Sequence, residues 1–364
     1  MAQPKTPLSD LSQIEANWLT ATLTANGHLT QGCVAHVRCE MLKKSKYSDI
    51  AQLQVSYSAD ARISTGGMLP ATLLLKLGKS SSAPQRNALF ARREFEFYSR
   101  IAPAMKASIA ACSFDAAFEQ QTGRYHFLLE DLTGTHTHVA NPLPPSIPEC
   151  EQIVECLARL HAAWWNDPRI GKEIGKPFVE ERHSKRASTI KKRTGKFLEL
   201  LDDRIAGSRR NTLRDLPAVY PRLLERQGRG HLTITHGDAH AQNFLISRMR
   251  ADCRIIDWEA WEVAPATDDL AFMMAVLWFS ERRKRLEREL LRRYHGALVA
   301  AGVGNYSWDS LWSDYQLSAI KHLCTPVYQW INGVRPAVWL NNLERILTSY
   351  EDLGCAELME ELKH

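Results

Sequence analysis

The stretch His236-Gly237-Asp238-Ala239-His240-Ala241-Gln242-Asn243, followed by Ile256-Asp257-Trp258-Glu259, constrains this chain more than any other feature. Polar groups are concentrated between runs that favour extended backbone: Thr233-Ile234-Thr235 before them, Phe244-Leu245-Ile246 after them, and Arg254-Ile255-Ile256 beyond. Runs this short leave the polar residues at strand ends and on the loop between, and the pattern predicts a hairpin that holds them. Gly237 lets the backbone turn sharply next to Asp238.

Asn243 follows Asp238 by 5 residues and Asp257 follows Asn243 by 14. Two acids and an amide at this spacing suit one magnesium–nucleotide site. One Asp accepts a hydroxyl proton, and the Asn and the second Asp give magnesium the hard oxygen ligands it prefers. Asp, Asn and Gly also fill ordinary turns. His236 with His240 could belong to a zinc site, but no cysteine or third histidine lies nearby at ligand spacing.

On these residues the chain resembles the aminoglycoside phosphotransferase family of small-molecule kinases, whose relatives include choline, ethanolamine and macrolide kinases and the ecdysteroid-kinase-like group. The family pattern His-Gly-Asp-x-His-x-x-Asn matches residues 236–243, Ile-Asp-Trp-Glu matches 256–259, and Pro…Asp-Asp-Leu-Ala matches Pro265 to Ala271. Cys156 to Trp165 is similar to the family's Leu-His-Ala-x-Trp-Trp helix. The protein-kinase motifs His-Arg-Asp, Asp-Phe-Gly and Ala-Pro-Glu are not in place, which argues against a protein substrate.

The resemblance implies an α+β, protein-kinase-like bilobal fold: a small N-lobe with an antiparallel sheet and one helix, and a larger, mostly helical C-lobe. Residues 1–132 form the nucleotide-covering lobe with an N-terminal helix over Leu11 to Leu23, residues 133–148 the linker, and residues 149–364 the lobe that carries the catalytic hairpin and acceptor site. The same resemblance assigns a phosphate-binding lysine to a buried strand. Thr72-Leu73-Leu74-Leu75-Lys76-Leu77 has one lysine inside an apolar run, a costly placement unless the amine is paired or holds phosphate. An edge-strand lysine that blocks aggregation is the plain alternative. On the following helix, Arg86 to Ile101, Glu94 shares a stripe with Phe90, Phe97 and Ile101, so Glu94 rather than Glu96 is the expected partner of Lys76.

Strands over Ala110 to Glu119 and Tyr125 to Glu130 lead to a hinge, where backbone groups of Glu130, Asp131 and Leu132 are implied to bind adenine. The turn Lys43-Lys44-Ser45-Lys46-Tyr47-Ser48-Asp49 stands where a glycine-rich phosphate loop is usual and contains no glycine. Ser45 and Ser48 are its candidate phosphate contacts, and a polar hairpin turn is the alternative. His236, His161 and Asp269 are expected to support the catalytic loop, Asp269 through backbone bonds or as a plain helix cap.

The expected reaction is transfer of the γ-phosphate of ATP to a hydroxyl of a small molecule. Lys76 and Glu94 would orient phosphates, Asn243 and Asp257 would hold Mg2+, Asp238 would take the proton, and His240 would approach the γ-phosphate. Trp258, Glu259, Trp261 and Glu262 are acceptor-site candidates; the tryptophans, with Trp312, Trp330 and Trp339, suit core packing equally well. Rings with acids fit a cationic amine, but basic helices nearby favour a neutral or apolar alcohol. A nucleotide-binding pseudokinase or an interaction protein remains the reading from another class.

The net charge of +5 is too small to imply nucleic acid, and the basic runs at 181–193, 204–214 and 281–293 read as solvated faces. Eight scattered cysteines without a Cys-x-x-Cys pair suit reduced thiols in the cytoplasm. The longest strongly apolar run, Leu270 to Phe279, is too short to span a bilayer. Nothing in the sequence sets an oligomeric state.

Overall fold

A computed structural model describes residues 6–45, 48–63, 70–79, 84–105, 108–140, 142–178, 181–249 and 252–364. The chain forms two compact units: Met1–His138 with Leu245–Trp261, and Val139–Phe244 with Glu262–His364.

The first unit opens on a 3-10 turn, Leu11–Gln13, closed by a reciprocal capping box between Asp10 and Gln13. Ile14 is then extended, and helix α1 (Ala16–Ala25) begins after it. The single helix expected from Leu11 is therefore broken: the Asp10–Gln13 box starts the first turn, and the extended backbone of Ile14 and Glu15 ends it before α1. Strands β1 (Leu29–Gln31), β2 (Val34–Lys44), β3 (Ser48–Tyr57), β4 (Arg62–Ile63) and β5 (Thr72–Gly78) follow, then α2 (Pro84–Glu96), which widens into a π-turn at Phe97–Ile101. Strands β6 (Ser113–Phe118), β7 (Tyr125–Glu130) and β8 (His136–His138) come next.

Five strands form one antiparallel sheet in the order β2-β3-β5-β7-β6. Strand β5 is central and alternates in burial, with Leu73, Leu75 and Leu77 on the core face. Lys76 points to the other face, as the period of two requires. Leu19 and Leu23 of α1 pack on the core face with Leu53 and Leu128.

In the second unit, α3 (Ile147–Ala163) starts at a Ser146–Glu149 capping box and stops at Trp164. Helices α4 (Glu181–Leu201) and α5 (Gly207–Gly228) lead into β9 (Thr233–Thr235). From Leu245 to Trp261 the chain belongs to the first unit, with β10 (Phe244–Ser247) and β11 (Cys253–Ile255); the second unit resumes with β12 (Glu262–Ala264) and helices α6 (Thr267–Ala271), α7 (Ser280–Ala300), α8 (Trp308–His322), α9 (Thr325–Ile331), α10 (Pro336–Asp352) and α11 (Cys355–Glu361).

The expected hairpin between β9 and β10 does not form. Strand β9 pairs with β12, whereas β10 lies between β11 and β8. The intervening segment 236–243 contains a 3-10 turn at Ala241–Asn243, and it exceeds the roughly 2–5 residues of a hairpin loop. It links two sheets instead. Among the described residues no helix is long and apolar enough to cross a membrane.

Candidate active site

In the first unit, Lys76 Nζ lies 2.9 and 2.7 Å from the two carboxylate oxygens of Glu94 and 3.3 Å from Asp257 Oδ1. The Glu94 side chain is 3% exposed and that of Lys76 16%, so the pair is largely removed from water. Desolvation works against the Lys76 charge, but Glu94 and Asp257 outweigh it and hold its pKa well above the ordinary lysine value. Burial pushes the Glu94 carboxyl up, and Lys76 only partly reverses that. Glu96 turns away and pairs with Arg92 one turn back along α2.

Asp257 stands in the left-handed region, with φ 66°. Non-glycine residues rarely adopt this conformation, and such strain concentrates at functional positions. Its side chain is 44% exposed. The residues after it are anchored: Trp258 Nε1 donates to Ile255 O at 3.0 Å and its ring stacks on Phe97 at 3.7 Å. Trp261 Nε1 donates to Arg93 O at 2.7 Å.

For the two tryptophans these anchors favour the core-packing alternative. Trp258 is fully buried and Trp261 nearly so; both rings pack the Asp257 segment against α2 and the π-turn that follows it. Glu259 is half-buried, and its charge acts on Tyr125. Glu262 lies on β12 in the second unit.

The glycine-free turn is closed by its own serines. Ser45 Oγ donates to Ser48 O at 2.7 Å and accepts from Ser48 N at 3.0 Å. Lys79, which no motif or periodicity marks, holds both sides through Asp49 at 2.6 Å and Ser45 O at 3.0 Å. Lys46 and Tyr47 lie outside the described residues. At the end of β7, Glu130 N–H donates to Cys112 O at 2.8 Å, and past the strand Leu132 O accepts from Thr135 and His136. The Asp131 carboxylate accepts from Thr133 and Gln52. Glu130 N–H is therefore already committed within the chain, which narrows the backbone groups that can meet an adenine.

In the second unit the loop 236–243 is fixed by one buried acid. Asp269 accepts from His236 N at 2.7 Å and Gly237 N at 2.8 Å. Gly237 has φ 77°, the conformation for which glycine is suited. His161 is fully buried and bridges Asp269 at 3.2 Å to the Tyr294 hydroxyl at 2.8 Å. The His161 backbone carbonyl also accepts from Thr233 Oγ1, which ties α3 to β9. Asp269 follows the first residues of α6 and supports the loop, while Ala266 occupies the cap position. His236 is likewise fully buried.

On this support Asp238 stays 43% exposed, with His240 Nε2 3.5 Å from its carboxylate. Asn243 is buried, and its amide nitrogen donates to Asp238 O at 2.9 Å. That bond directs the amide nitrogen, leaving the side-chain oxygen as its other functional atom. Asn243 and Asp257 are thus both hard oxygen donors, the chemistry magnesium selects. Among the described residues no cluster of three or more His, Cys, Asp or Glu forms a metal site.

A five-stranded antiparallel sheet with a carboxylate-paired lysine, and a helical unit with an acid on a fixed polar loop, define a protein-kinase-like α+β fold of the small-molecule kinase class. The chain belongs to the ecdysteroid kinase-like family, whose sequence pattern matches residues 47–302. Two solved structures share the fold. Plasmodium vivax ethanolamine kinase has 12% identity and a TM-score of 0.53 over 90% of this chain and 84% of its own. A Ralstonia eutropha protein provisionally described as an aminoglycoside phosphotransferase has 12% identity and a TM-score of 0.51 over 96% of this chain and 99% of its own. No curated protein matches the chain.

Proposed function

We propose that this small-molecule kinase transfers the γ-phosphate of ATP to a hydroxyl group of a neutral or apolar alcohol. The observation that carries the reading is Lys76, a largely buried cation bracketed by Glu94 and Asp257. An amine kept charged by one buried carboxylate is prepared to hold phosphate oxygens. Asn243 and Asp257 would hold magnesium, which when bound neutralises phosphate charge. Asp238 orients the acceptor hydroxyl and takes its proton, and His240 beside it serves the transferring phosphoryl group.

Remaining backbone groups of 130–132 serve the adenine, and Ser45 and Ser48 the phosphates through the turn they close. The family description supports a steroid-like alcohol, and the half-buried Arg186 beside Glu262 disfavours a cationic acceptor. The free thiols Cys33, Cys39, Cys112, Cys150, Cys156, Cys253, Cys324 and Cys355 support a cytoplasmic setting.

The test is ADP release from magnesium ATP over a panel of alcohols, with phosphorylated product identified by mass. Loss of a proton-accepting, hydroxyl-aligning carboxylate removes about three orders of magnitude in rate, so Asp238→Asn is expected to lose nearly all turnover while still binding ATP. Near-normal turnover by that variant rules out the assigned role.

A further inference from the structure

Gly78 ends strand β5 two residues after Lys76, and a tyrosine ring takes the space its missing side chain leaves. A Cβ at residue 78 would meet three Tyr125 ring atoms at 2.2, 2.3 and 2.7 Å. The Gly78 backbone is ordinary strand, outside the left-handed region. The position therefore calls for glycine to give room, not for its conformation. We propose that Tyr125 is a positioning residue for the nucleotide phosphates: it crosses Gly78 and holds Ser48 from beneath the glycine-free turn. The assignment rests on the phosphotransferase reading above and adds how a turn without glycine is set beside Lys76.

Strand register puts the parts in one row. Ser48 on β3 pairs with Gly78, and Gly78 and Tyr125 each lie one residue beyond the Leu77–His126 pair of β5 and β7. Tyr125 pairs in turn with Phe118 on β6. The neighbouring row on the same face carries Ile50, Lys76 and Phe127. Side chains alternate along a strand, so both rows lie opposite Leu73, Leu75 and Leu77, roughly 7 Å apart. A side chain at 78 would separate Ser48 from Tyr125; glycine lets the ring span the central strand. The Tyr125 hydroxyl is hydrogen-bonded to the Ser48 side chain, and the charges of Lys76 and Glu94 act on it.

The contact is buried and neutral. Tyr125 is 8% exposed and Ser48 9%. Burial pushes the Tyr125 hydroxyl up to about 12 against the pull of Lys76, so it keeps its proton at neutral pH. The Ser48 main chain is taken up by Ser45, and Lys79 grips Ser45 O and Asp49. Two side chains, one from β7 and one just past β5, thus fix the turn in place. Packing alone accounts for a ring over Gly78 but sets no preference for phosphate, and that preference is what the test reads.

The test measures binding of magnesium ATP and of adenosine to the full chain by calorimetry. The wild type is expected to bind ATP the tighter. Tyr125→Phe and Ser48→Ala should each weaken ATP by about threefold to tenfold, the size of one neutral hydrogen bond, and leave adenosine unchanged. Together they should lose no more than either alone, because both delete the same contact. Gly78→Ala, which drives the ring off its seat, should lose at least as much. Tyr125→Phe keeps the ring and its packing, so it decides the matter even where Gly78→Ala fails to fold; thermal melting checks each variant. An equal loss of ATP and adenosine in Tyr125→Phe, no loss of either, or additive losses in the double variant overturn the positioning role. Equal affinity of the wild type for ATP and adenosine, or binding of neither, overturns the phosphotransferase reading beneath it, and the positioning role falls with it.

Discussion

Asp269 accepts the backbone N–H of His236 at 2.7 Å with one carboxylate oxygen while the other takes Gly237 N–H, so a single buried acid fixes two successive peptide groups of the Asp238 loop. Asp269→Asn keeps the volume but turns one acceptor into a donor facing an N–H. The expected cost is about 2–4 kcal/mol of stability from the lost and unmet hydrogen bonds. Turnover should fall further than KM rises, because the loop positions rather than binds. The acid limb gives a second signature. Burial pushes the Asp269 carboxyl up, but the His161 ring, the His236 charge and the His236 N–H pull it down further, and the net pKa lies below the ordinary value. Its contribution is full above the unfolded carboxyl pKa of about 4 and is lost as pH falls through the lowered folded value. Urea unfolding across acid pH should show wild type and Asp269→Asn converging there; a constant gap contradicts the assignment.

Lys76 and Glu94 allow stability to be separated from activity. Removing one partner of a buried ion pair strands the other, so Glu94→Ala and Lys76→Met should each cost about 3–5 kcal/mol. Apolar replacement of both, Lys76→Met with Glu94→Leu, should recover most of that stability, since the desolvation penalty disappears with the charges. Phosphoryl transfer should stay lost in the double variant, by at least about a thousandfold if the amine serves the phosphates. Chemical denaturation and ADP release on the same samples decide it; a double variant that regains activity along with stability would show Lys76 to be structural.

Much of the site was legible because its residues are consecutive. The 236–243 and 256–259 segments carry their chemistry in spacing, and the β5 alternation already set Lys76 apart from Leu75 and Leu77. Glu94 followed from helical periodicity, even though α2 widens into a π-turn just beyond it. Long-range partners left no such trace. Strand β9 chooses β12 over β10, a pairing set by sheet assembly that three-residue strands do not encode. Trp258 and Trp261 were ambiguous for a physical reason: an aromatic beside a candidate metal-binding acid reads equally as a ligand wall or as packing, and only burial and contacts in the folded chain, the Trp258 stacking on Phe97 among them, bear on the choice. Arg186 sits in a basic run where, among the described side chains, Lys185, Lys191, Lys192 and Arg193 are exposed while Arg186 is half-buried, a difference that composition does not reveal.

Trp258 offers a direct check on the packing role. Its ring is fully buried and stacked at 3.7 Å. Trp258→Ala should destabilise the fold by about 3–5 kcal/mol, as large aromatic truncations do. Trp258→Phe keeps an aromatic face for Phe97 but loses the Nε1 bond to Ile255 O, and should cost about 1–2 kcal/mol. In Trp258→Phe the acceptor KM should move less than the thermal midpoint implies. A selective rise in acceptor KM with an unchanged melting curve would return Trp258 to the acceptor wall.

His322 carries the fourth expectation, a pH dependence outside the reacting groups. Its Nε2 lies 3.1 Å from Asp268 O and must donate, since a carbonyl only accepts; Nδ1 then accepts from Thr325 Oγ1 at 3.0 Å. This is the neutral tautomer. Desolvation disfavours the charged form, Asp268 partly offsets it and Lys321 adds to it, so the pKa is pushed down to about 4. In the unfolded chain the ring titrates near 6.5, so the unfolded state binds a proton first on acidification. The His322 contribution is therefore full above about pH 6.5, declines between there and about pH 4, and is constant below; integrated, it is about 3 kcal/mol. His322→Gln can still donate to Asp268 O without titrating, and should flatten unfolding free energy over that window relative to wild type. Asp268 is joined to α8 through Lys321 and Ser318 and is the neighbour of the loop-holding Asp269. Loss of activity on mild acidification should accordingly begin at a lower pH in the variant; parallel stability and activity profiles would remove His322 from the account.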